Sequence, residues 1–210
     1  MAETLIDSYS EANVNAEWEI LDGVNPTGYL SAGVSFEVTT SGLQISSCKF
    51  YLKKYGSPTG NMVAKLYAHS GTFGVSSIGT GSPLATSGGV DASTLSTSYG
   101  LVTFTFSTSY ALINGTYYVI VVEWVGTGFV NYIVIGYKSE HVTGHGNFCY
   151  QKGDLSWSYN GTRTPGFYVY GSPAAATSIL KVAGVAQASI SKLESVALAS
   201  IGKVAGVANS

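Results

Sequence analysis

The sequence contains few charged residues. Asp, Glu, Lys and Arg make up 10% of its 210 residues, against roughly 25% in an average soluble domain. The basic residues are scattered singly, and the formal net charge is −2. A nucleic-acid-binding protein needs a basic stripe or patch that neutralises phosphates. The composition therefore argues against nucleic acid as a partner.

Long apolar runs are also missing. No stretch of the sequence approaches the roughly 18 consecutive apolar residues that a membrane-spanning helix needs. The opening residues, MAETLIDSYS, lack the basic segment and the apolar core of a secretion signal. We therefore expect no membrane partner and no cleaved leader.

Cysteine and histidine are scarce. Cys48 and Cys149 lie far apart in apolar segments and fit no metal-binding spacing. We expect two buried free thiols, with a disulfide between facing sheets as the alternative. His141 and His145 have the i, i+4 spacing of helical metal ligands, but Gly144 between them indicates an exposed loop. The sequence thus predicts no metal site and no cofactor.

A catalytic arrangement of side chains is missing as well. The sequence has no Gly-x-Ser-x-Gly elbow, and no histidine lies in a setting typical of a catalytic triad. Glu17 and Glu19 share one face of a predicted strand, where an exposed edge is the simplest interpretation. Glu123 ends an apolar strand, and we expect it to meet a lysine or backbone amides. These patterns predict a protein that is not an enzyme.

Strand-forming patterns fill the first 173 residues. In Leu101–Phe106 apolar residues alternate with threonines, which is the period of a half-buried strand. Thr116–Val122 is almost wholly β-branched or aromatic, which is typical of a strand buried on both faces. Asn114–Gly115 between them is strong turn chemistry. We therefore expect these two strands to lean on each other within one sheet.

Turn-forming residues divide the rest of this region into short strands. In Leu43–Lys54 the alternation turns Cys48, Phe50 and Leu52 inward, whereas residues 70–98, rich in Gly, Ser and Thr, predict a loop or a sheet edge. Together the patterns predict an all-β fold, a jelly-roll-like antiparallel β-sandwich over residues 1–173 with about eight or nine strands. The further predicted strands are Trp18–Ile20, Tyr29–Val38, Met62–His69, Ile133–Tyr137, Gly146–Tyr150 and Gly166–Tyr170.

The C-terminal region is a tandem repeat. After a linker at 174–177, an eleven-residue unit recurs over 178–210 and aligns Ile179, Ile190 and Ile201. The period suits a helix with a right-handed supercoil, whereas the glycines and β-branched residues favour short β-segments; both interpretations stay open. Because each copy is too small to be stable alone, the repeats are predicted to mediate assembly or docking, with a tail of no such role as the alternative. The positions assigned to assembly are Ile179, Val182, Val185, Ile190, Leu193, Val196, Ile201, Val204 and Val207.

Aromatic residues near turns are the best candidates for ligand binding. Phe, Trp and Tyr make up 12% of the chain, and their flat faces suit sugar rings or an interface with few charges. For Trp157, packing within the sandwich is the favoured alternative. The candidate ligand-binding residues are Tyr55, Tyr132, Trp157 and Tyr159.

Several segments resemble a known family. Residues 50–74 (FYLKKYGSPTGNMVAKLYAHSGTFG) and the segments GTGSPLATS, STLSTSYGLVTFTF and NGTYYVIVVEW resemble the β-sandwich domains of choice-of-anchor R type. The closing repeat, I-x-K-V-x-G-V-A-x-A-S, resembles short tandem repeats that follow such domains in phage structural proteins. The resemblance implies a jelly-roll-like module displayed on a virion or cell surface. The family has no assigned catalytic residues, so the resemblance supplies none.

These features predict a non-enzymatic structural protein of a virion surface, as a capsid decoration, fibre or spike component. The sandwich would be the displayed head, and the repeats would join copies of the chain. The expected partners are further copies in a homo-oligomer, for which a trimer would suit a spike, then other virion proteins and surface glycans. The alternative function is a carbohydrate-binding module of a receptor-binding or adhesive protein, located outside a cell or on its surface.

Overall fold

The computed structural model of the chain describes residues 3–21, 28–108, 110–124, 126 and 130–173. The linker at 174–177 and the repeats of 178–210 lie outside the described residues. The assembly positions from Ile179 to Val207 lie there too, so what the sequence predicts for them stays a prediction.

The described residues form two seven-stranded antiparallel sheets that pack as a β-sandwich. The chain passes repeatedly from sheet A to sheet B and back. This architecture confirms the predicted all-β, jelly-roll-like antiparallel sandwich. The strands are β1 (Thr4–Tyr9), β2 (Ala16–Ile20), β3 (Tyr29–Glu37), β4 (Leu43–Tyr55), β5 (Asn61–Ser70), β6 (Ile78–Thr86), β7 (Val90–Asp91), β8 (Gly100–Thr105), β9 (Tyr117–Trp124), β10 (Tyr132–Lys138), β11 (Phe148–Lys152), β12 (Trp157–Asn160), β13 (Thr164–Pro165) and β14 (Phe167–Pro173). Sheet A contains β1, β2, β4, β8, β10, β13 and β14, and sheet B contains β3, β5, β6, β7, β9, β11 and β12.

Helical structure is limited to short turns in the described part of the chain. Glu11–Asn13 and Ala92–Thr94 are single 3-10 turns. Each is capped by the side chain before it, Ser10 or Asp91, which accepts a backbone N–H of the turn. Within these described segments, no helix has the length and apolar character to cross a membrane.

The ends of β4 define the two ends of sheet A. This strand of 13 residues pairs along one edge with β14 and then β10, and along the other edge with β8. Pro173, the last residue of β14, pairs with Leu43 at the start of β4, and Tyr132 pairs with Tyr55 at its end. Because a strand rises about 3.3 Å per residue, these two pairs lie ~40 Å apart.

The main core forms between the sheets. Cys48, Phe50 and Leu52 of β4 are buried there, as the alternation of the sequence predicts. Trp124 of β9 is fully buried, and its indole Nε1–H donates to the carbonyl oxygen of Thr59 at 3.0 Å. The only polar atom of this large side chain is thus hydrogen-bonded inside the protein.

The strands on either side of Asn114–Gly115 do not pair with each other, so that prediction is wrong. β8 pairs with β4 in sheet A, whereas β9 lies between β3 and β5 in sheet B. Gly115 has a φ of +72°, and its N–H donates to the carbonyl oxygen of Val38 at 2.7 Å. The turn therefore carries the chain from one sheet to the other. Asn-Gly chemistry fixes the local backbone and does not determine which sheet the next strand joins.

β9 is buried on both faces, as predicted. Ile120 and Val122 point into the main core, while Val119 and Val121 belong to a second apolar cluster on the outer face of sheet B. All four side chains are fully buried. A strand of this kind needs cover on both sides, which means that sheet B has a packed outer surface as well as a packed inner one.

The described residues form fourteen strands where about eight or nine were predicted, and the additional ones are β1, β6, β7, β12 and β13. The region 70–98 contains β6 and β7 rather than loop alone. β6 lies at the end of sheet B, which agrees with the predicted edge and with Pro83 inside it, since an edge strand tolerates a missing N–H. The sequence analysis missed β1, because only Tyr9 in it is buried and a bulge between Leu5 and Asp7 breaks the alternation.

Candidate functional site

The outer face of sheet A carries a group of tyrosines. Because Cys48, Phe50 and Leu52 point into the core, the residues between them on β4 point outward. Tyrosines from β10 and β14 and from the turn before β8 join them on this side. We call this surface the tyrosine face; its members are Tyr51, Tyr55, Tyr99, Tyr132, Tyr168 and Tyr170.

Tyr55 and Tyr132, two of the predicted ligand-binding residues, form a stacked pair. They are directly paired across β4 and β10, and their ring centroids lie 4.9 Å apart with an interplanar angle of 15°. The Tyr55 side chain is 59% exposed. The pair is therefore a preformed aromatic platform at the end of sheet A.

Tyr51 and Tyr99 form a second stacked pair, with centroids 4.9 Å apart at 18°. The Lys53 ammonium lies 4.6 Å from the centroid of the Tyr99 ring and 2.6 Å from Glu17 Oε2, and the Tyr99 hydroxyl donates to the same oxygen at 3.3 Å. The hydrogen bond from Lys53 lowers the pKa of Glu17, whereas burial and the nearby carboxylate raise the pKa of Tyr99. Glu17 is thus held as a carboxylate. Glu17 and Glu19 are both exposed on β2, as predicted.

The third tyrosine pair is close to Glu11. Tyr168 and Tyr170 lie with near-parallel rings, at 6.5 Å and 13°, and the Lys49 ammonium lies 5.3 Å from the Tyr170 centroid. The Tyr168 hydroxyl donates to Glu11 Oε2 at 2.5 Å. This hydrogen bond lowers the pKa of Glu11 and raises the pKa of Tyr168, so Glu11 is also held as a carboxylate.

A cleft of about 520 Å³ lies between the segment of the first 3-10 turn and the tyrosine face. Its volume is in the usual range for small-molecule sites. Carboxylate, amide and phenol groups converge in it, together with apolar ring surface. Its main lining residues are Glu11, Val14, Asn15, Glu17, Tyr51 and Tyr99.

Two glycines set the depth of this cleft. A Cβ atom on Gly136 would lie 2.8 Å from Val14 Cγ1, and one on Gly166 would lie 3.0 Å from Val14 Cγ2. The Tyr51 N–H donates to the Gly166 carbonyl oxygen at 3.3 Å. Glycine at both positions therefore lets the segment around Val14 pack directly on the backbone of sheet A.

Trp157 and Tyr159, the other two predicted ligand-binding residues, lie on sheet B. The Trp157 ring meets Tyr67 edge-on at 5.0 Å, and it covers Gly79 so closely that a Cβ there would lie 2.4 Å from Trp157 Cζ2. Trp157 thus occupies a packing position, and Tyr159 beside it is 49% exposed. The four predicted residues divide between two surfaces. The second apolar cluster, here the Trp157 cluster, contains Tyr67, Val119, Val121, Cys149 and Trp157.

The chain itself covers the outer face of sheet B. Ser77 and Asn147, both fully buried, join the loop before β6 to the segment before β11: the Ser77 N–H donates to Asn147 Oδ1 at 3.0 Å, and Asn147 Nδ2 donates back to the Ser77 carbonyl at 3.3 Å. On the same face of sheet B, Lys65 donates to Glu123 Oε1 at 2.5 Å. The prediction that Glu123 meets a lysine is confirmed. Burial and Glu123 together raise the pKa of Tyr67 to about 12.

The histidines lie in a loop, but they are not exposed as the sequence analysis expects. His145 Nδ1 lies 3.4 Å from Asp7 Oδ1, and the histidine side chain is 28% exposed. His141 is half-buried beside Gly74. The loop folds back against β1 and against the connection between β5 and β6, and this contact shields both rings partly from solvent. Among the described residues, no three His, Cys, Asp or Glu side chains are arranged to hold a metal ion.

Cys48 and Cys149 are buried free thiols, which confirms the favoured prediction. Cys48 lies in the main core and Cys149 in the Trp157 cluster, so sheet B separates them and no disulfide joins them. Burial raises the pKa of both thiols. At neutral pH they are therefore apolar packing groups rather than nucleophiles.

The sequence analysis missed the residues that build the cleft. The alternation of β4 does place Tyr51 and Lys53 outward, and this signal was available. No local pattern predicts the contacts of Glu11 and Glu17, because Glu11 meets Tyr168 across 157 positions of the chain and Glu17 meets Tyr99 across 82.

Comparisons of the chain with protein-family models, curated proteins and solved structures found no match. No relative therefore supplies the role of any residue described above.

Proposed function

We propose that the chain is a non-enzymatic structural protein of a virion surface, such as a decoration, fibre or spike component. The β-sandwich is its displayed head, and the repeats at 178–210 mediate assembly or attachment. Its partners are further copies of the chain and other virion proteins. The resemblance to choice-of-anchor R domains and to phage repeats, and the low charge of the chain, support this role.

One observation carries the proposal: the last described strand ends at one end of sheet A, and the Tyr55–Tyr132 pair lies at the opposite end. β14 ends at Pro173, beside the first residue of β4, and Thr4 of β1 pairs with Gly171 at the same end of sheet A. The exposed Tyr55 ring and its half-buried partner Tyr132 lie at the other end, ~40 Å away by the rise of a strand. The last described strand thus ends at one end of sheet A, and the aromatic platform lies at the other end. A displayed head that is attached through the chain beyond Pro173 would use this placement to present the platform.

The ionisation of the carboxylates on the tyrosine face supports a role without catalysis. A glycosidase needs a general acid whose pKa is raised, so that it holds a proton near neutral pH. Hydrogen bonds from Tyr168 and Lys53 lower the pKa values of Glu11 and Glu17 instead. Neither residue suits the general-acid role.

The mass of the protein in solution tests the assembly role. We expect the full chain to form a homo-oligomer and a chain ending at Ala174 to be a monomer, as measured by light scattering coupled to size exclusion. A β-type circular dichroism spectrum of the shorter chain serves as the control for folding. A monomeric full chain would count against assembly through the repeats, and a trimer would favour a spike.

Carbohydrate binding is the second candidate function. The stacked pair of the exposed Tyr55 and the half-buried Tyr132 favours it, because sugar rings stack on aromatic faces through their C–H groups. A glycan array probed with the full chain tests it, beside the double variant Tyr55→Ala with Tyr132→Ala and the control Tyr159→Ala. We expect the full chain and the Tyr159→Ala variant to bind glycans on the array and the double variant to lose these signals. An array without signals, or signals that both variants keep, would rule out carbohydrate binding.

A further inference from the structure

The cleft beside Tyr51 and Tyr99 contains one carboxylate charge that no described cation balances. The Lys53 ammonium forms an ion pair with Glu17 at 2.6 Å. Glu11, the other acidic lining residue, accepts only the neutral Tyr168 hydroxyl among the hydrogen bonds of the described residues. A ligand that brings a single positive charge to Glu11 would complete the electrostatics of the cleft.

Lys53 shows which kind of cation this surface accepts. Its primary ammonium combines a charge-assisted hydrogen bond to a carboxylate with a position over an aromatic ring, 4.6 Å from the Tyr99 centroid. Glu11 and Tyr51 bring a carboxylate and an aromatic ring to the lining of the same cleft, and both residues pack near Gly166, where a Cβ would lie 3.4 Å from Glu11 Cα and from Tyr51 Cβ. The neighbourhood of Glu11 thus suits a second primary ammonium.

The rest of the cleft suits a polyhydroxylated body. Asn15 Oδ1 accepts the Ser139 N–H at 2.9 Å, which fixes the amide and leaves its NH₂ group as a donor at the cleft. The Tyr51 and Tyr99 rings supply flat apolar surface. A quaternary ammonium has no hydroxyl groups on its head for these donors and acceptors, whereas a sugar ring uses both.

We propose that this cleft binds an amino sugar, a hexose unit with an unacetylated primary amine. The ammonium donates to the Glu11 carboxylate, the C–H face of the ring stacks on the tyrosine pair, and ring hydroxyls bond to Asn15 and Glu17. The inference does not depend on the assembly role of the repeats. It extends the carbohydrate-binding candidate to a site distinct from the Tyr55–Tyr132 pair and names the charge that the ligand carries.

Calorimetric titration of the full chain with two sugar trimers tests this inference. One trimer is unacetylated glucosamine and the other is N-acetylglucosamine, of equal length, at about pH 6, where amines of this kind are protonated. We expect the unacetylated trimer to bind at least about tenfold more tightly, because a charged hydrogen bond is worth that much. Equal affinities, or no binding of the unacetylated trimer, would overturn the inference.

Two matched variants separate the site from general attraction between charges. Glu11→Gln keeps an acceptor for Tyr168 and removes the charge, and we expect it to weaken binding of the unacetylated trimer about tenfold. Glu3→Gln removes the same charge from an exposed residue at the far end of sheet A and should change nothing. A loss that is the same in both variants overturns the inference, as does choline binding as tight as that of the trimer. If glycans bind at Tyr55–Tyr132 and the unacetylated trimer binds no more tightly than neutral glycans, the amino-sugar inference is overturned. The carbohydrate-binding candidate would then still stand.

Discussion

The outer faces of sheets A and B both carry aromatic rings and a Lys–Glu ion pair, but only the face of sheet B is covered. On sheet A the Tyr55 ring is 59% exposed and Glu17 reaches Lys53 at the surface. On sheet B the corresponding pair, Lys65 with Glu123, is more buried, with the Glu123 side chain 11% exposed, and Trp157 packs against Tyr67. Similar side chains are therefore packed on one face and more exposed on the other.

The difference comes from the connections rather than from the strands. The link between Ser77 and Asn147 holds the loop before β6 across sheet B, and the hairpin of β11 and β12 brings Trp157 over Gly79. On sheet A the segment around Val14 covers only the part near Gly136 and Gly166. Beyond that part Tyr55 stays exposed, and the other members of the tyrosine face are half-buried. Substitutions that distinguish burial from exposure should therefore separate the two faces.

Trp157→Ala should have the largest effect on stability. It removes the ring that closes the Trp157 cluster, and we expect the free energy of unfolding to fall by about 3 kcal/mol, near the lower limit for a buried tryptophan because this one is only half-buried. Urea denaturation followed by circular dichroism measures it. The thiol of Cys149, which lies in the same cluster, should react faster with a disulfide reagent in this variant, and the Cys48 thiol should not. A loss below about 0.5 kcal/mol, typical of surface substitutions, would show that sheet B is as open as sheet A.

Lys65→Met should cost about 2 kcal/mol, because it leaves the Glu123 carboxylate buried without its ammonium partner. Combining it with Glu123→Leu should recover most of the loss, since two apolar side chains replace the whole pair. Urea denaturation of the two variants and the parent protein provides the comparison. If the double variant is as unstable as Lys65→Met alone, the loss does not come from an unpaired Glu123 carboxylate, and the ion pair itself stabilises the fold.

Glu17→Gln breaks the matching pair on sheet A, and its cost at neutral pH should stay below about 1 kcal/mol because the pair is exposed to solvent. Lys53 lowers the pKa of Glu17 in the folded protein. The stabilisation is therefore present above the pKa of the unfolded state and is lost as the pH falls through the folded pKa. Thermal melts of both proteins between neutral and strongly acidic pH should converge at the acidic end. A constant difference across the range would show that the charge of Glu17 contributes nothing.

How far the sequence predicts these faces depends on the distance that each contact spans along the chain. The two-residue period of β4 predicts the buried positions of Cys48 and Phe50 and hence the outward position of Tyr51. The run of β-branched residues in β9 predicts that this strand is buried on both faces. Local periodicity does not show that a loop covers one sheet. Nor does it show that Glu11 meets Tyr168, a contact across 157 positions. The platform was thus partly predictable, and the cleft was not.

Tyr55→Ala should have the smallest effect, a change of about 0.5 kcal/mol or less, because most of the ring is already in solvent. Its stacking on Tyr132 contributes at the low end of the range for aromatic pairs, since the exposed ring gains little from burial. A melting temperature within a few degrees of the parent is the expected measurement, and Trp157→Ala is the reference for a covered ring. A loss as large as that reference would mean that Tyr55 packs as a structural residue. The tyrosine face would then be a second covered surface, and the case for a ligand platform at this end of the sandwich would fail with it.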